Sequence, residues 1–440
     1  MLTTPLLALL ALALQDLTHK AAPQEGPVLI VGATIHPISS EVIEEGWILF
    51  DEGRITELGK GRPERDQART IDATGKHVWP GLVSAYSHLG LVEISAVRAS
   101  DDVTEAGDVN PEVRAAVAIN PDSTLLPVTR SNGILTFASF PTRGLVPGRP
   151  CVMRMDGWTW EDMALDSDYG LVVQWPRLRP ARSWWGDDED ETDPLEEARA
   201  AQRKIEDLFD AAGAYLAARD ADSASVPLDL GFEAMRDVLP AFAGERPEPV
   251  FALADDLDEI RSAVEFAARR RLKLVIVGGR DALACADLLR AHDVPVIVNG
   301  VYRLPKRDDS PYDEPFRLPA DLEQAGVRWC LASGEETAHE RNLPYGAALA
   351  VAHGLDADAA VRAITLSAAR ILGVDDRVGS LEVGKEATLI VTDGNPLEVT
   401  TRIERAYVQG RAIDLSNKQT KLAEKYREKY RQLDEAGAGK

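Results

Sequence analysis

Cysteine is nearly missing from this chain. Its three residues, Cys151, Cys285 and Cys330, form no Cys-x-x-Cys pair in 440 residues, which excludes a disulfide framework and a thiolate zinc cluster. Cys285 and Cys330 sit inside apolar runs and read as small core residues. Histidine is also sparse, with seven residues, so any imidazole-based centre has few donors to draw on. Positive charge is in deficit: 49 Lys and Arg face 72 Asp and Glu, a formal net charge of −23. Such a balance repels phosphate backbones and anionic lipid surfaces, and it excludes nucleic acid as a partner class. No Gly-x-Ser-x-Gly elbow occurs, so a serine hydrolase site on Ser87 or Tyr86 has no placed base. After the first residues, no segment is long and apolar enough to cross a membrane.

What is present describes an ordinary globular chain. Hydrophobic residues make up 45% and charged residues 28%, and the length suits one large domain with a smaller companion. The start, "MLTTPLLALLALALQDLTHK", carries an apolar run from Pro5 to Leu14 with an Ala11-Leu12-Ala13 step. This pattern predicts a signal peptide over residues 1–13 and an exported protein, periplasmic or secreted, with no membrane association once the signal is removed.

Periodicity divides the rest. Residues 27–80 alternate in strand fashion, with a hairpin turn at Glu52-Gly53, and residues 376–415 repeat that style with a second turn at Gln409-Gly410. Two β-rich pieces flanking a long middle predict a small β-sandwich built from both chain ends. Residues 81–375 alternate short apolar runs with helical patterns, which predicts parallel strands joined by helices. Seven strands are legible: "GLVSAYSHLGL", "GILTFASFP", "GLVVQWP", "PVFALAD", "KLVIVGG", "PVIVNGV" and "RWCLASG". An eighth is expected between Trp175 and Pro249. Asp255 and Asp256 stand as N-caps before the stripe Leu257, Ile260, Val264, Ala267, and Val361, Ile364, Ala368, Ile371 form another stripe. The run "SWWGDDEDETDP" reads as a solvated insertion, with a lid over the mouth as the alternative. Residues 416–440 predict a charged helix that packs on the barrel through Leu422, Tyr426 and Tyr430.

Three segments carry a resemblance: "IDATGKHVWPGLVSAYSHLGL", "RNLPYGAALAVAHGLDADAAVRAITLSAARILGV" and "DRVGSLEVGKEATLIVTDGNPLEV". In order and wording they resemble the amidohydrolase superfamily, in particular its imidazolonepropionase-like members. The resemblance implies an α/β fold, a (β/α)8 TIM-like barrel with a flanking sandwich, whose site lies at the C-terminal strand ends. It also implies one or two divalent metals held by a His-x-His on strand one, a His on strand five, a His on strand six and an Asp on strand eight. At those places this sequence carries Tyr86-Ser87-His88, Leu253, Gly278 with Gly279, and Gly334 with Glu335 one residue away. Leucine and glycine side chains donate no electron pair. The expectation is therefore a degenerate centre with no metal ligands and no cofactor, a weakly held zinc being the one alternative.

The remaining donors define the candidate site. His88 sits where strand one opens to the mouth, and Glu335 with His339 has the i, i+4 spacing that would place both on one face if that loop is helical. These three are the candidate catalytic residues, set against a plainer reading of His88 as a hydrogen-bonded pocket residue and of Glu335 and His339 as solvated charges. Tyr86, Arg143, Arg280, Asn299 and Tyr302 fall at strand ends or in the following loops and are the candidate substrate-binding residues. A small molecule in the barrel mouth is the expected partner. Two functions stay open: a hydrolase of non-peptide C–N bonds, in a cyclic amide or imide, and a catalytically inactive, metal-free binding or scaffold protein.

Overall fold

The structure is a computed structural model, and it describes residues 18–63, 67–178, 193–334 and 336–438. The signal peptide expected over residues 1–13, most of the acidic Trp-containing run, and Glu335 lie outside the described residues.

Five strands open the chain: β1 (Val28–Ile35), β2 (Ile43–Asp51), β3 (Arg54–Lys60), β4 (Arg69–Asp72) and β5 (His77–Pro80). The Glu52-Gly53 turn joins β2 to β3 with both residues at positive φ, 47° and 79°, the geometry of a tight two-residue hairpin. Nine strands follow: β6 (Leu82–Ser87), β7 (Ile134–Ser139), β8 (Cys151–Arg154), β9 (Ala164–Asp166), β10 (Leu171–Gln174), β11 (Val250–Ala254), β12 (Leu274–Gly278), β13 (Val296–Asn299) and β14 (Trp329–Ala332). The chain closes with β15 (Leu389–Thr392), β16 (Ile403–Val408) and β17 (Arg411–Ala412). The two ends meet in one eight-stranded sheet ordered β17-β16-β15-β5-β1-β2-β3, with β4 beside β1. That sheet forms because β5 pairs with β1 on one side and with β15, over 300 residues away, on the other.

All seven strands read from the apolar runs are present. The expected eighth is not found among the described residues of the segment where the sequence placed it. Among the described residues of 175–249 the chain is helical or irregular, with a long helix Pro194–Ala221, and the additional strands are β8 and β9, antiparallel neighbours of β7. The run "CVMR" is too short and too close to two prolines and glycines to stand out by periodicity. The stripe over 361–371 is also two helices, Ala357–Ala363 and Leu366–Ile371, broken at Thr365.

Strands β10 to β14 form one parallel sheet, and β6 to β9 form another whose first pair, β6 and β7, is parallel. One apolar interior joins them. Val83, Ala138, Val152, Val172, Phe251, Val275, Ile297 and Cys330, one from each of β6, β7, β8 and β10 to β14, share a single buried cluster. Alternate residues of every strand thus face one interior, and the intervening residues face the helices. No ladder joins β6 to β14. Instead Glu340, only 1% exposed, accepts hydrogen bonds from Ser84 of β6 (2.5 Å) and from Ser333 just beyond β14 (2.8 Å), which closes that seam with a carboxylate.

The C-terminal helix Lys418–Ala438 departs from expectation most clearly. Leu422, Tyr426 and Tyr430 are 42%, 50% and 60% exposed, so the helix does not pack on the barrel through them.

Candidate functional site

Parallel strands end together, so the last residues of β6, β10, β11, β12 and β13 converge at one mouth. A cleft of ≈ 790 Å³ opens there, lined among others by Tyr86, Gln174, Leu253, Asp255, Gly278 and Asn299. Each of these sits on the final turn of a strand or one residue beyond it.

Asp255 is one of the charged groups that line the mouth. It follows β11 and is oriented by backbone contacts: its N–H donates to Glu259 Oε2 (2.8 Å), and its Oδ1 accepts the N–H of Arg280 (3.3 Å). Glu259, 4% exposed, also accepts the N–H of Asp256 (3.0 Å) and meets Arg177 Nε at 3.3 Å. The two aspartates read as N-caps therefore divide their tasks. Asp256 occupies the cap of the helix Leu257–Arg270, and Asp255 turns to the cleft.

Tyr86 is packed edge-on to His88, at 5.5 Å between ring centroids, and against Phe140 at 4.9 Å. Burial, then the negative charge of Asp255, raises its hydroxyl above the usual tyrosine value, so it stays a donor. His88 Nδ1 lies 3.0 Å from the Phe140 carbonyl. A carbonyl only accepts, so Nδ1 carries the proton and Nε2 of the neutral ring is an acceptor. Burial lowers the pKa of His88, against the opposing pull of that hydrogen bond and of Asp101. Across the mouth, Asn299 Oδ1 is buried with no hydrogen-bond partner. A buried acceptor of this kind is costly unless water or a ligand donor meets it.

Of the residues expected to bind substrate, the cleft brings together Tyr86 and Asn299. Arg143 is exposed and pairs with the buried Asp101 at 3.3 Å, outside the cleft. Arg280 contributes its backbone to Asp255 but lines a separate cavity of ≈ 320 Å³ with Asp281, Arg307 and Glu314. Tyr302 is 44% exposed on the loop after β13. His339 is exposed on the short 3-10 helix Thr337–Asn342, and with Glu335 outside the described residues that pair has no geometry to weigh. Asp255, Glu259 and Gln174 were missed. The signal was available for Asp255, because two successive acids at a strand end are more than one cap needs.

The metals implied by the resemblance find no fitting donor set among the described residues. No three His, Cys, Asp or Glu side chains converge there. The reason lies in particular positions. Leu253 presents hydrocarbon to the cleft. At Gly278, φ +110°, a Cβ would stand 2.6 Å from Asp255 Oδ1, so the carboxylate occupies the space of a side chain. At Gly334, φ +68°, a Cβ would lie 2.4 Å from the Asn299 carbonyl and 2.5 Å from Gly300 Cα. Strands β13 and β14 leave the barrel with their backbones in contact through Gly300 and Gly334, and no side chain fits between them.

A sequence profile of the amidohydrolase family matches residues 309–421. The chain is similar to the amidohydrolase tasK of Hapsidospora irregularis, 23% identical over 83% of this chain and 40% of that protein. It is also similar to the imidazolonepropionase of Brucella suis, 29% identical over 35% of this chain and 38% of the relative. The chain thus spans about two fifths of the length of these curated relatives. Among solved structures, an amidohydrolase from Thermotoga maritima MSB8 superposes with a TM-score of 0.74 at 24% identity, covering 88% of this chain and 99% of that one. That likeness shows a TIM-barrel-like α/β fold. The profile match and the curated relatives add that the chain is similar to amidohydrolases in sequence, over residues 309–421 for the profile.

Proposed function

We propose that this protein binds a small polar organic molecule in its barrel mouth and has given up the metal-activated water of its superfamily. The carrying observation is the composition of the strand ends. Leu253, Gly278 and Gly334 stand where the resemblance implies ligands, and Asp255 or neighbouring backbone fills the space at the two glycines. Asp255, the Tyr86 hydroxyl and the unpartnered Asn299 Oδ1 supply the polar contacts. Strands β6, β7, β8 and β10 to β14 make up the (β/α)8 barrel of this reading, with β8 as its irregular member. Export through the leader in residues 1–13 belongs to the same proposal.

A second reading is a hydrolase of non-peptide C–N bonds in cyclic amides or imides. It is favoured by the similarity to imidazolonepropionase and by His88, whose Nδ1 bond to the Phe140 carbonyl leaves Nε2 as the acceptor. Under it, His88, Glu335 and His339 take the acid/base work.

One experiment separates the two. The protein is expressed with zinc, manganese and iron supplied, then analysed for metal and melted with and without chelator. The binding reading expects far less than one metal per chain and an unchanged Tm. Near-stoichiometric metal whose removal lowers Tm, with chelator-sensitive turnover of a cyclic amide, would establish the hydrolase instead.

A further inference from the structure

One element lies outside the cleft and is left uncovered by the other described residues. Every residue from Lys418 to Glu435 in the C-terminal helix is exposed. The helix is tied down at its start, where buried Asn417 accepts the N–H groups of Gln419 (2.9 Å) and Thr420 (3.0 Å) and donates to Ser131 Oγ (2.9 Å). Beyond that first turn it stands exposed for about 25 Å. Isolated helices are marginal in water, and most helical stability comes from covering an apolar face.

This helix has such a face. Leu422, Tyr426, Tyr430 and Leu433 are 42%, 50%, 60% and 56% exposed, and at 100° per residue they fall within an arc of about 80°. Charge is distributed unevenly along it. The half from Lys418 to Arg427 holds four Lys and Arg against one Glu, and the half from Glu428 to Ala438 holds two against three acids.

We propose that a second copy of this chain covers the stripe, the two helices pairing antiparallel about a twofold axis. Antiparallel pairing sets the basic half of each helix beside the more acidic half of the other, whereas parallel pairing would stack the two basic halves. It also opposes the helix dipoles. The whole chain carries −23 while this helix is net positive, so the bodies repel. Antiparallel helices hold them at opposite ends of the rod, about three Debye lengths apart at physiological salt. Covering the exposed parts of two Leu and two Tyr per helix buries about 900 Å² in total, below the size of standard stable interfaces, which predicts a weak, reversible dimer.

The test is sedimentation equilibrium of the full chain from 1 to 100 µM at physiological salt, beside the double variant Y426E/Y430E and a chain ending at Asn417. The expected result is a monomer–dimer equilibrium for the parent and monomers for both variants, with all three melting alike at low concentration. A parent that stays monomeric throughout, or variants that still dimerise as the parent does, would overturn the proposal. So would parent, but not variant, that floats with phosphatidylglycerol vesicles while remaining monomeric in their absence, because the stripe would then be a lipid-facing surface.

Discussion

Glycine 334 shows how a single residue can decide what a site is unable to hold. Its backbone lies in the left-handed region at φ +68°, with Gly300 Cα 2.5 Å from where its Cβ would be. Replacing it by Asp in order to rebuild a ligand forces both a strained φ and a clash with backbone, which cannot move aside. We expect G334D and G334A each to lose at least about 2 kcal/mol of stability, read as the urea midpoint, and G334D to gain no zinc. A stable G334D that takes up metal would refute this account of the strand ends. His36 carries a different residue-scale consequence. Its ring stacks on Trp79 at 3.5 Å, and its Nε2 lies 3.0 Å from His77 Nδ1. Burial, then the charge of His77, lowers its pKa from 6.5 to about 4. The folded state therefore favours the neutral ring. The corresponding stability is complete above the unfolded value and is lost as pH falls from about 6.5 towards about 4. Urea midpoints across that range should fall less steeply in H36Q than in the parent protein.

Between elements, buried carboxylates do what ladders do elsewhere. Glu340 joins β6 to β14 through Ser84 and Ser333. Removing it in E340A takes this acceptor from the buried Ser84 and Ser333 hydroxyls and opens a seam between the two sheets that lacks strand pairing. A loss of about 3 kcal/mol is expected, seen as a lower urea midpoint, with faster amide exchange in β6 and β14 than in β11 and β12. Uniform exchange across all four strands would argue that the seam is held some other way. Glu386 does the same between sheet and barrel. Arg154 donates to it through Nε (3.0 Å) and Nη2 (2.7 Å), and Arg377 through Nη2 (2.7 Å). Burial acts to raise its pKa, but the hydrogen bond and charge of Arg154, with Arg377, outweigh that and hold it below the ordinary value.

At the scale of the whole molecule, the segment that follows the expected leader is part of the fold. Thr18 accepts a hydrogen bond from the fully buried Arg130, Lys20 Nζ donates to the Pro121 carbonyl (2.7 Å), and the Ala21 N–H meets Asp156 Oδ2 (3.3 Å). Cleavage at Ala13 would leave these contacts whole, and cleavage beyond Thr18 would strip Arg130 of a partner in a site 1% exposed. A chain starting at Gln24 should therefore melt lower than one starting at Leu14, and any processing of the leader that spares the fold should leave Thr18 in place, which intact mass measurement checks. Equal melting would remove the segment from the fold's stabilising parts.

What the sequence determined alone follows from short-range physics. Runs such as "KLVIVGG" and "PVIVNGV" can form little other than buried strands, and Glu52-Gly53 and Gln409-Gly410 adopt the backbone that a tight hairpin requires. Strand ends then follow from strand positions, which is why Tyr86 and Asn299 were legible as cleft residues. Tertiary structure decided the rest, because the deciding partners are distant in the chain. Asp255 became a site residue through Gly278 and Arg280, Glu340 found Ser84 from 256 positions away, and Gly334 lost its room to the backbone of Gly300. The exposed stripe of the C-terminal helix belongs with these. An amphipathic pattern states that a face must be covered, and only three-dimensional packing shows that its own barrel does not cover it.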